Sequence, residues 1–281
     1  MGPAHETRPI ASLTVDVEDW YQSCVDYDAP ITERVLRNMD AVLDVLGGVK
    51  ATFFVQGLVA ERFPSLVRDL VEAGHEVGSH AHTHRPLDGM DRPVLRDELA
   101  RGRAAIEDAG GVAPRSFRAP DFSIGAGNLW ALEEVAEQGF ELDSSIFPMR
   151  SRHYGISGWE LGPHRLDVAG GRQLTEVPVA VWRRGRVRLP IAGGGYFRLL
   201  PYQVLERGLA QIAGEGRPVV VYCHPYEFNA SEPDEYRGQV RGPMRVQQRL
   251  GRPGFPGKIR RLLGLLPFGR FDEVARSVDN L

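Results

Sequence analysis

The sequence predicts an α/β fold in which parallel strands form a closed or nearly closed barrel. Three observations support this prediction. Short apolar stretches alternate with longer amphipathic stretches and with short loops between them, which is typical of parallel strands joined by crossover helices. About seven such strand units occur along the chain. The chain has 281 residues, a length that one α/β barrel accommodates.

The first half of the chain carries the clearest strand and helix signals. Residues 10–17 form an apolar run rich in β-branched side chains and end in acids, which predicts a buried strand. Residues 31–46 have apolar side chains at helical spacing and stop at Gly47. The other elements predicted here are strands at residues 51–55, 75–79 and 116–118 and helices at residues 58–73 and 92–109.

The second half continues this alternation and then abandons it. Residues 150–172 are glycine-rich and irregular, which predicts a long loop. The alternation stops after residue 228, so we expect a barrel over residues 1–228 and a basic C-terminal extension, residues 229–281, packed on it. The remaining predicted elements are helices at residues 128–138 and 202–212 and strands at residues 140–142, 176–182 and 218–223.

Composition excludes several classes of protein. Hydrophobic residues make up 42% and charged residues 25% of the chain, as in ordinary globular proteins, and the net charge of −3 argues against a nucleic-acid partner. Two distant cysteines, Cys24 and Cys223, support neither a disulfide framework nor a cysteine zinc site. The N-terminus lacks the apolar run of a signal peptide, and no run is long enough to span a bilayer. The sequence therefore predicts a cytoplasmic protein without a transmembrane segment, and it gives no oligomeric state.

The C-terminal extension has an unusual charge. Residues 237–270 contain nine basic residues and no acid. They could form a solvated extension that wraps the barrel, or a surface that docks on an anionic glycan, a lipid headgroup or a partner. Packing is favoured because the segment also offers apolar side chains, namely Leu262, Leu263, Leu265, Leu266 and Phe268.

Four histidines crowd one short segment after a predicted strand, namely His75, His80, His82 and His84. A helical or tightly turned backbone would bring His80 and His84 to one side, whereas His82 should point elsewhere. Paired neutral imidazoles suit a zinc site with an open position. The alternative is a polar surface turn, but the number of histidines favours a metal site.

A zinc site of this kind needs a third ligand, usually a histidine or a carboxylate. The first predicted strand supplies Asp16, Glu18 and Asp19 at its C-terminal end. These acids could belong to an exposed loop. However, parallel α/β folds place their chemistry at the C-terminal ends of strands.

Four residues that could take part in catalysis or bind a metal lie at predicted strand ends: Asp16, His80, Arg118 and His224. A buried Arg118 could clamp a carboxylate and hold it ionised, although a surface arginine before a turn is the alternative. A single histidine after a strand is more often structural than catalytic. The predicted metal pair on the same rim favours a functional His224.

Several segments carry a specific combination of motifs: Thr14-Val15-Asp16-Val17-Glu18-Asp19, His80-Ala81-His82-Thr83-His84, Arg118-Ala119-Pro120, Asp143-Ser144-Ser145 and the strand that ends at His224. Together, in this order over residues 10–228, they resemble the polysaccharide deacetylase family, also called the NodB-homology or carbohydrate esterase 4 family. The resemblance implies a distorted (β/α)7 barrel. Residues 16–22 (DVEDWYQ), 193–202 (GGGYFRLLPY) and 224–228 (HPYEF) resemble the exosortase-associated exopolysaccharide subfamily, which also has a C-terminal extension.

The resemblance implies a metal-dependent hydrolase that removes N-acetyl groups from an amino-sugar-containing polysaccharide or glycoconjugate. The implied cofactor is a divalent metal, expected to be zinc, and the implied partner is an N-acetylated glycan. His80 and His84 match the metal-binding histidines of the family. Asp16 matches the catalytic base, Arg118 its tether and His224 the catalytic acid.

The third metal ligand departs from the usual family pattern of two adjacent aspartates. Here the run is Asp16-Val17-Glu18-Asp19. A related branch uses a D-x-D spacing, which makes Glu18 the third ligand, and Asp19 is the alternative. We prefer Glu18 because it shares a strand face with Asp16.

The residues expected to contact substrate are Trp20, Tyr21, Pro120, Asp121 and Tyr196. Trp182 and Phe197 are further candidates for walls that stack on sugar rings, with core packing as the alternative for each aromatic residue. Two other functions stay open. A hydrolase of non-sugar amides or ureides would share the spacing of the first motif, and a non-catalytic homologue would bind glycans without turnover.

Overall fold

A single curved sheet forms the centre of the molecule in the computed structural model, which describes residues 10–151 and 154–276. The strands are β1 (Ala11–Val17), β2 (Thr52–Val55), β3 (Glu76–Ser79), β4 (Ser116–Phe117), β5 (Leu142–Asp143), β6 (His164–Val168), β7 (Arg172–Glu176), β8 (Val181–Arg184), β9 (Val187–Pro190) and β10 (Val219–Cys223). Eight of them form the sheet in the order β10-β1-β2-β3-β4-β5-β7-β6. In this order, each strand from β10 to β7 is parallel to its neighbour. In this sheet, β6 alone runs antiparallel to its neighbour, β7.

Helices alternate with these strands along the chain. They are α1 (Trp20–Cys24), α2 (Arg34–Leu46), α3 (Gly57–Arg62), α4 (Pro64–Glu72), α5 (Arg92–Gly110), α6 (Ala131–Glu137), α7 (Gly194–Leu199), α8 (Tyr202–Gly214), α9 (Glu232–Glu235), α10 (Gly242–Arg249), α11 (Phe255–Leu263) and α12 (Phe271–Ala275). Every residue of β1 is buried, as expected for a parallel strand covered on both faces.

The segment between β7 and β10 connects the far part of the sheet with β10, the strand at its other edge. The Ala180 N–H donates to the Val220 carbonyl at 2.9 Å, and the Tyr222 N–H donates to the Ala192 carbonyl at 2.8 Å. Between these contacts, β8 and β9 form a separate antiparallel hairpin. The predicted α/β fold, a distorted barrel built on seven parallel strands, is thereby confirmed.

Three predicted elements differ from the structure. The single helix expected at residues 58–73 is two helices, because Pro64 cannot donate a backbone hydrogen bond and restricts the residue before it. The strand expected at residues 176–182 is divided between β7 and β8. The expected loop at 150–172 contains β6, which pairs with β7 as a short hairpin and lacks a strong apolar pattern.

The C-terminal extension packs against the barrel in two places. Phe255, Ile259 and Leu262 of α11 are buried in the main core, and the other apolar side chains predicted to pack there are partly buried against it. At the opposite end of the sheet from the strand carboxyl ends, the Phe271 N–H donates to Thr52 Oγ1 at 2.7 Å. The division of the chain into a barrel and an extension at residue 228 stays a prediction. Within the described ranges, no helix is both long and apolar enough to cross a membrane.

Candidate active site

The carboxyl ends of neighbouring strands bring the predicted site residues to one rim of the barrel. Asp16 lies near the end of β1, His80 directly follows β3, and Arg118 directly follows β4. His224 directly follows β10, which pairs with β1. Because these strands run in parallel, their carboxyl ends meet on the same side of the sheet.

Glu18, His80 and His84 form a buried cluster on this rim. Each residue is 2% exposed, and their candidate ligand atoms all lie within 4.8 Å of one another. His80 Nε2 lies 3.6 Å from Glu18 Oε2, and His84 Nε2 contacts the same oxygen. The sequence-based pairing of His80 with His84 and the preference for Glu18 agree with this arrangement.

The chemistry of the Glu18 cluster fits a divalent cation. His80 Nδ1 lies 2.8 Å from the Arg118 carbonyl, so it donates a proton there and leaves Nε2 as a free electron pair facing Glu18. Among the described residues, Glu18 Oε2 has no well-oriented hydrogen-bond donor, although both imidazoles face it. A carboxylate and two imidazole nitrogens this close together match the ligand set of a catalytic zinc site.

The electrostatics of the cluster favour opposite charges side by side. Burial alone would raise the pKa of Glu18, but the charge of His84 and the polar contacts with His80 and His84 hold it well below its usual value. Burial would lower the pKa of His84, but the charge of Glu18 and the close contact with it raise that pKa. The Glu18 carboxylate is therefore stabilised in its ionised form, which is the form that binds metal.

Asp19, the alternative third ligand, is engaged elsewhere. Its Oδ1 accepts the backbone N–H groups of Tyr21 at 3.0 Å and Gln22 at 3.4 Å, so it caps α1. Its Oδ2 accepts both the N–H and the hydroxyl of Thr32, at 2.9 and 2.6 Å. The Asp19 carboxylate thus orders the backbone behind Glu18 and does not belong to the cluster.

Backbone strain is concentrated around the cluster. In the described part of the chain, the non-glycine residues with positive φ are Ala81 (58°), His84 (63°), Asp121 (54°) and Phe122 (51°). All four lie in the loops that follow β3 and β4. Such conformations are costly and persist where the surroundings enforce them, often at functional sites. A tight turn, and no helix, brings His80 and His84 together.

Residues that the sequence analysis did not single out shape the loop after β3. Glu98 Oε1 accepts the N–H of His82 at 2.9 Å and the N–H and hydroxyl of Thr83. A Cβ on Gly102 would lie 2.7 Å from the backbone of Ala81, so only glycine lets α5 approach the loop this closely. A glycine inside a helical pattern was the available signal. As expected, His82 points away, with Nε2 2.9 Å from Glu61 Oε1.

Arg118 holds Asp16 from inside the barrel. Its Nη1 donates to Asp16 Oδ1 at 2.8 Å and to Thr14 Oγ1 at 2.7 Å, and its Nη2 donates to Ser144 Oγ at 3.0 Å. Arg118 is fully buried and Asp16 is 2% exposed. This charge-assisted pair fixes the position of the Asp16 carboxylate.

His224 belongs to a second hydrogen-bonded group on the rim. Its Nδ1 lies 3.2 Å from Glu227 Oε2, and the same oxygen accepts the His224 backbone N–H at 3.0 Å. Arg198 Nε lies 3.1 Å from the other oxygen of Glu227. Burial would lower the pKa of His224, but the hydrogen bond with Glu227 and the charges of Glu18, Glu227 and Asp16 raise it to about 9. His224 therefore carries a proton at neutral pH.

The predicted substrate-contacting residues divide into exposed and buried groups. Tyr196 is 46% exposed and Asp121 is also exposed, whereas Pro120 is buried and therefore does not offer the predicted contact. Tyr21 is partly exposed and stacks on Tyr236 with ring centroids 4.7 Å apart. Tyr196, Tyr21 and Asp121 thus stay predicted substrate contacts.

Three other aromatic candidates are corrected by their burial. Trp20 is 0% exposed because Tyr226, Tyr236 and Val240 pack around it. Phe197 and Trp182 are 0% and 4% exposed and belong to the main core. None of the three is available to stack on a sugar ring.

Comparisons with known proteins identify both halves of the chain. A family model described as polysaccharide deacetylase matches residues 9–141, and a domain of unknown function, DUF3473, matches residues 144–276. The chain is 33% identical over 87 residues to the peptidoglycan-N-acetylglucosamine deacetylase of Bacillus cereus, covering 31% of this chain and 32% of that protein. It is 43% identical over 82 residues to a chitooligosaccharide deacetylase of Bradyrhizobium sp., covering 28% and 37%. The chain thus spans about a third of the length of these curated relatives.

A solved structure supports the fold over the whole chain. A crystal structure from Mycobacterium smegmatis, assigned to the polysaccharide deacetylases, aligns with a TM-score of 0.64 at 21% identity and covers 98% of this chain and 92% of that one. The DUF3473 match fits the expected subfamily with a C-terminal extension. Residues 9–141, which carry Asp16, Glu18, His80, His84 and Arg118, are therefore a polysaccharide deacetylase domain of the NodB-homology or carbohydrate esterase 4 group.

Proposed function

We propose that this protein is a metal-dependent hydrolase that removes N-acetyl groups from an amino-sugar-containing polysaccharide or glycoconjugate. The observation that carries the proposal is the buried Glu18, His80 and His84 cluster, which shares one rim with the Asp16–Arg118 pair and with His224. The family match and the names of the relatives support the same reaction class.

Glu18, His80 and His84 would hold the cation, expected to be zinc. When bound there, a divalent cation would polarise the acetyl carbonyl and make a water more acidic. Glu18 supplies negative charge, and the His80 tautomer is set by its hydrogen bond to the Arg118 carbonyl. Arg118 therefore connects the metal ligands with Asp16 through its backbone and its side chain.

Asp16 would act as the general base. A carboxylate held in place by a buried arginine at 2.8 Å is suited to accept a proton from water as the water attacks the acetyl carbon. Arg118 binds one oxygen of Asp16 and so fixes the direction in which the carboxylate accepts that proton. The pair therefore supplies orientation as well as charge.

His224 would act as the general acid. Its Nδ1 proton is held by Glu227, and its raised pKa keeps the imidazole protonated at neutral pH. In the reaction, the C–N bond of the amide breaks and His224 gives a proton to the leaving amine. The products are acetate and a free amino sugar, and the proton taken by Asp16 returns to His224 through solvent.

Acetate release from a panel of N-acetylated glycans, measured together with metal content, tests the proposal. The panel contains chitooligosaccharides, peptidoglycan fragments and an exopolysaccharide, with small amides and ureides as a separate arm. We expect turnover of at least one N-acetylated glycan, loss of that turnover after chelation, and recovery after addition of zinc. The variant His80→Ala should remain inactive under all three conditions.

Two results would replace the proposal. Turnover restricted to the amides or ureides would assign the site to that branch of chemistry. Glycan binding that survives in His80→Ala, without turnover by either protein, would identify a non-catalytic glycan-binding homologue.

A further inference from the structure

One basic residue of the C-terminal extension lies inside the molecule. Arg252, in the segment that the sequence describes as a basic tail, is 0% exposed. Among the described residues, Arg118 and Arg252 are the two arginines among the largest fully buried side chains. Burying a guanidinium is costly unless its donors are satisfied, so the partners of Arg252 show what the burial achieves.

Arg252 binds the turn that carries His224. Its Nη1 donates to the carbonyls of Tyr226 at 2.7 Å and Asn229 at 3.1 Å. These carbonyls belong to the single 3₁₀ turn at Pro225–Phe228 and the residue after it, and the turn directly follows His224. Because both hydrogen bonds come from one nitrogen of a rigid, planar guanidinium, they hold the two carbonyls in a fixed relative position.

Arg252 also supports the side chains beside His224. Its guanidinium lies over the ring of Tyr226, 5.1 Å from the centroid, and over Trp20 at 5.6 Å. The Tyr226 ring stacks in turn on the imidazole of His224, with centroids 4.9 Å apart and planes 9° apart. Trp20 lies two residues after Glu18. Arg252 thus contacts both Trp20, which follows Glu18, and Tyr226, which stacks on His224.

The chain around Arg252 holds Glu227 as well. Arg198, which approaches Glu227 at 3.1 Å, donates from Nη1 to the Gln248 carbonyl at 2.7 Å. Gly251 has a φ of 78°, and a Cβ there would lie 2.8 Å from the Arg198 carbonyl oxygen. Residues 248–252 therefore pack against Arg198, which approaches Glu227, and against Tyr226, which stacks on His224.

We infer that Arg252 is a positioning residue for the reaction: it fixes the turn that aims the His224 imidazole, so the C-terminal extension is part of the catalytic apparatus. This inference rests on the proposed function, in which His224 protonates the leaving amine. It assigns an inward-facing structural task to the extension, which the charge of the tail alone did not indicate.

The test compares Arg252→Met with Arg249→Met in the full-length, zinc-loaded protein. Arg249 lies three residues away, its side chain is 58% exposed, and it pairs with Asp234 on the surface. Both variants are assayed on an N-acetylated oligosaccharide and on an aryl acetate ester, whose leaving group departs without protonation. Arg252→Lys, which keeps the charge without the planar fork, is the conservative variant.

We expect Arg252→Met to lower kcat for the N-acetyl substrate by about 100-fold, as for a small misplacement of a reacting group, with stoichiometric zinc retained. Turnover of the ester should stay within about twofold of wild type, because its leaving group needs no proton from His224. Arg252→Lys should recover part of the loss, and Arg249→Met should behave as wild type. Equal losses on both substrates would instead indicate fewer folded molecules and would overturn the inference.

Amide hydrogen exchange supplies a readout that does not depend on activity. Peptides covering residues 224–229 should exchange faster in Arg252→Met, whereas peptides covering residues 80–84 should keep wild-type protection. Unchanged exchange at 224–229, or faster exchange throughout the chain, contradicts a positioning role. If His224→Asn leaves N-acetyl turnover intact, the proposed role of His224 fails, and the exchange result still decides whether Arg252 fixes the turn.

Discussion

Two groups of buried acids in the same barrel respond to burial in opposite ways. The rim cluster (Glu18, His80 and His84) holds a carboxylate whose pKa is lowered. The wall pair (Asp143 and Glu176) lies on the adjacent strands β5 and β7, and burial raises the pKa of both carboxyls. All three acids are almost or fully inaccessible to solvent. Burial alone therefore does not decide the charge of an acid in this protein.

The neighbours of each carboxylate explain the difference. Glu18 faces His84, whose charge lowers the Glu18 pKa, whereas Glu176 faces the carboxyl of Asp143, whose charge raises the Glu176 pKa further. Two adjacent carboxyls share a proton more readily than they ionise together. The surroundings of Glu18 thus favour its ionised form, whereas those of the wall pair favour retention of a proton.

The wall pair still serves the rim through Ser145. Asp143 accepts the Ser145 hydroxyl at 2.6 Å, and Ser145 Oγ accepts the Ala119 N–H at 2.9 Å. Ala119 follows Arg118, which holds Asp16. The buried acid pair in the wall therefore supports the loop that positions Asp16 on the rim.

The largest effect is expected from neutralising the rim cluster. Glu18→Gln should abolish zinc binding and reduce deacetylation to background, because the cation loses its only anionic ligand in the proposed set. Asp19→Asn is the matched control and should retain stoichiometric zinc, since Asp19 caps α1 and binds Thr32. Metal analysis of both purified variants checks this. Zinc lost from Asp19→Asn and kept by Glu18→Gln would reverse the assignment.

The next largest effect concerns the buried pair beside the rim cluster. Arg118→Met should lower the free energy of unfolding by about 3–5 kcal/mol, because it leaves Asp16 charged and buried without its partner. Urea denaturation measures the loss. The double variant Arg118→Met with Asp16→Asn should recover part of the stability, since it removes the unpaired charge. A loss below about 1 kcal/mol in the single variant would show that Asp16 has another source of compensation.

A change in the wall pair should alter the pH dependence of stability. Because the pKa of Glu176 is raised in the folded state, its contribution is complete below the unfolded glutamate pKa and is lost as the pH rises through the folded value. Glu176→Gln cannot ionise, so its stability relative to wild type should increase from pH 4 to pH 8. Urea unfolding across this range measures the difference. The control is Glu141→Gln, at an exposed residue that directly precedes β5, and it should show little such trend. A decrease in the relative stability of Glu176→Gln over this range would contradict the prediction.

The smallest effect is expected where an ion pair is exposed. Arg260 of α11 pairs with Asp44 of α2, and their side chains are 53% and 73% exposed. Arg260→Ala should lower the free energy of unfolding by less than about 1 kcal/mol, with the loss disappearing in high salt. Thermal or urea unfolding at two salt concentrations is sufficient. A loss comparable to that of Arg118→Met would mean that this contact anchors the extension.

The sequence was sufficient to predict the strand ends that meet at the rim. Asp16, His80, Arg118 and His224 each lie at the end of a predicted strand, and parallel strands bring such positions together whatever the details of the loops. It could not choose between Glu18 and Asp19 from residue type, because the choice depends on the contact of Asp19 with Thr32. The catalytic roles of these residues stay predictions.

Other features depended on distant parts of the chain. The burial of Trp20 results from Tyr226, Tyr236 and Arg252, which no local pattern connects with it. β6 was missed because it lies on the sheet edge and alternates only partly buried and exposed residues. The division at Phe63 was available in the sequence, since Pro64 is a standard first residue of a helix.

The order of strands in the sheet has a consequence for biosynthesis. β1, the first strand, pairs with β10, the last, and the Asp272 N–H of α12 donates to Glu76 of β3 at 2.9 Å. A chain emerging from the ribosome therefore exposes one edge of β1 until most of its length has been translated. Contacts between such distant segments close late and slowly, because long loops must be ordered first. We therefore expect the pairing of β1 with β10 to be among the last steps of folding.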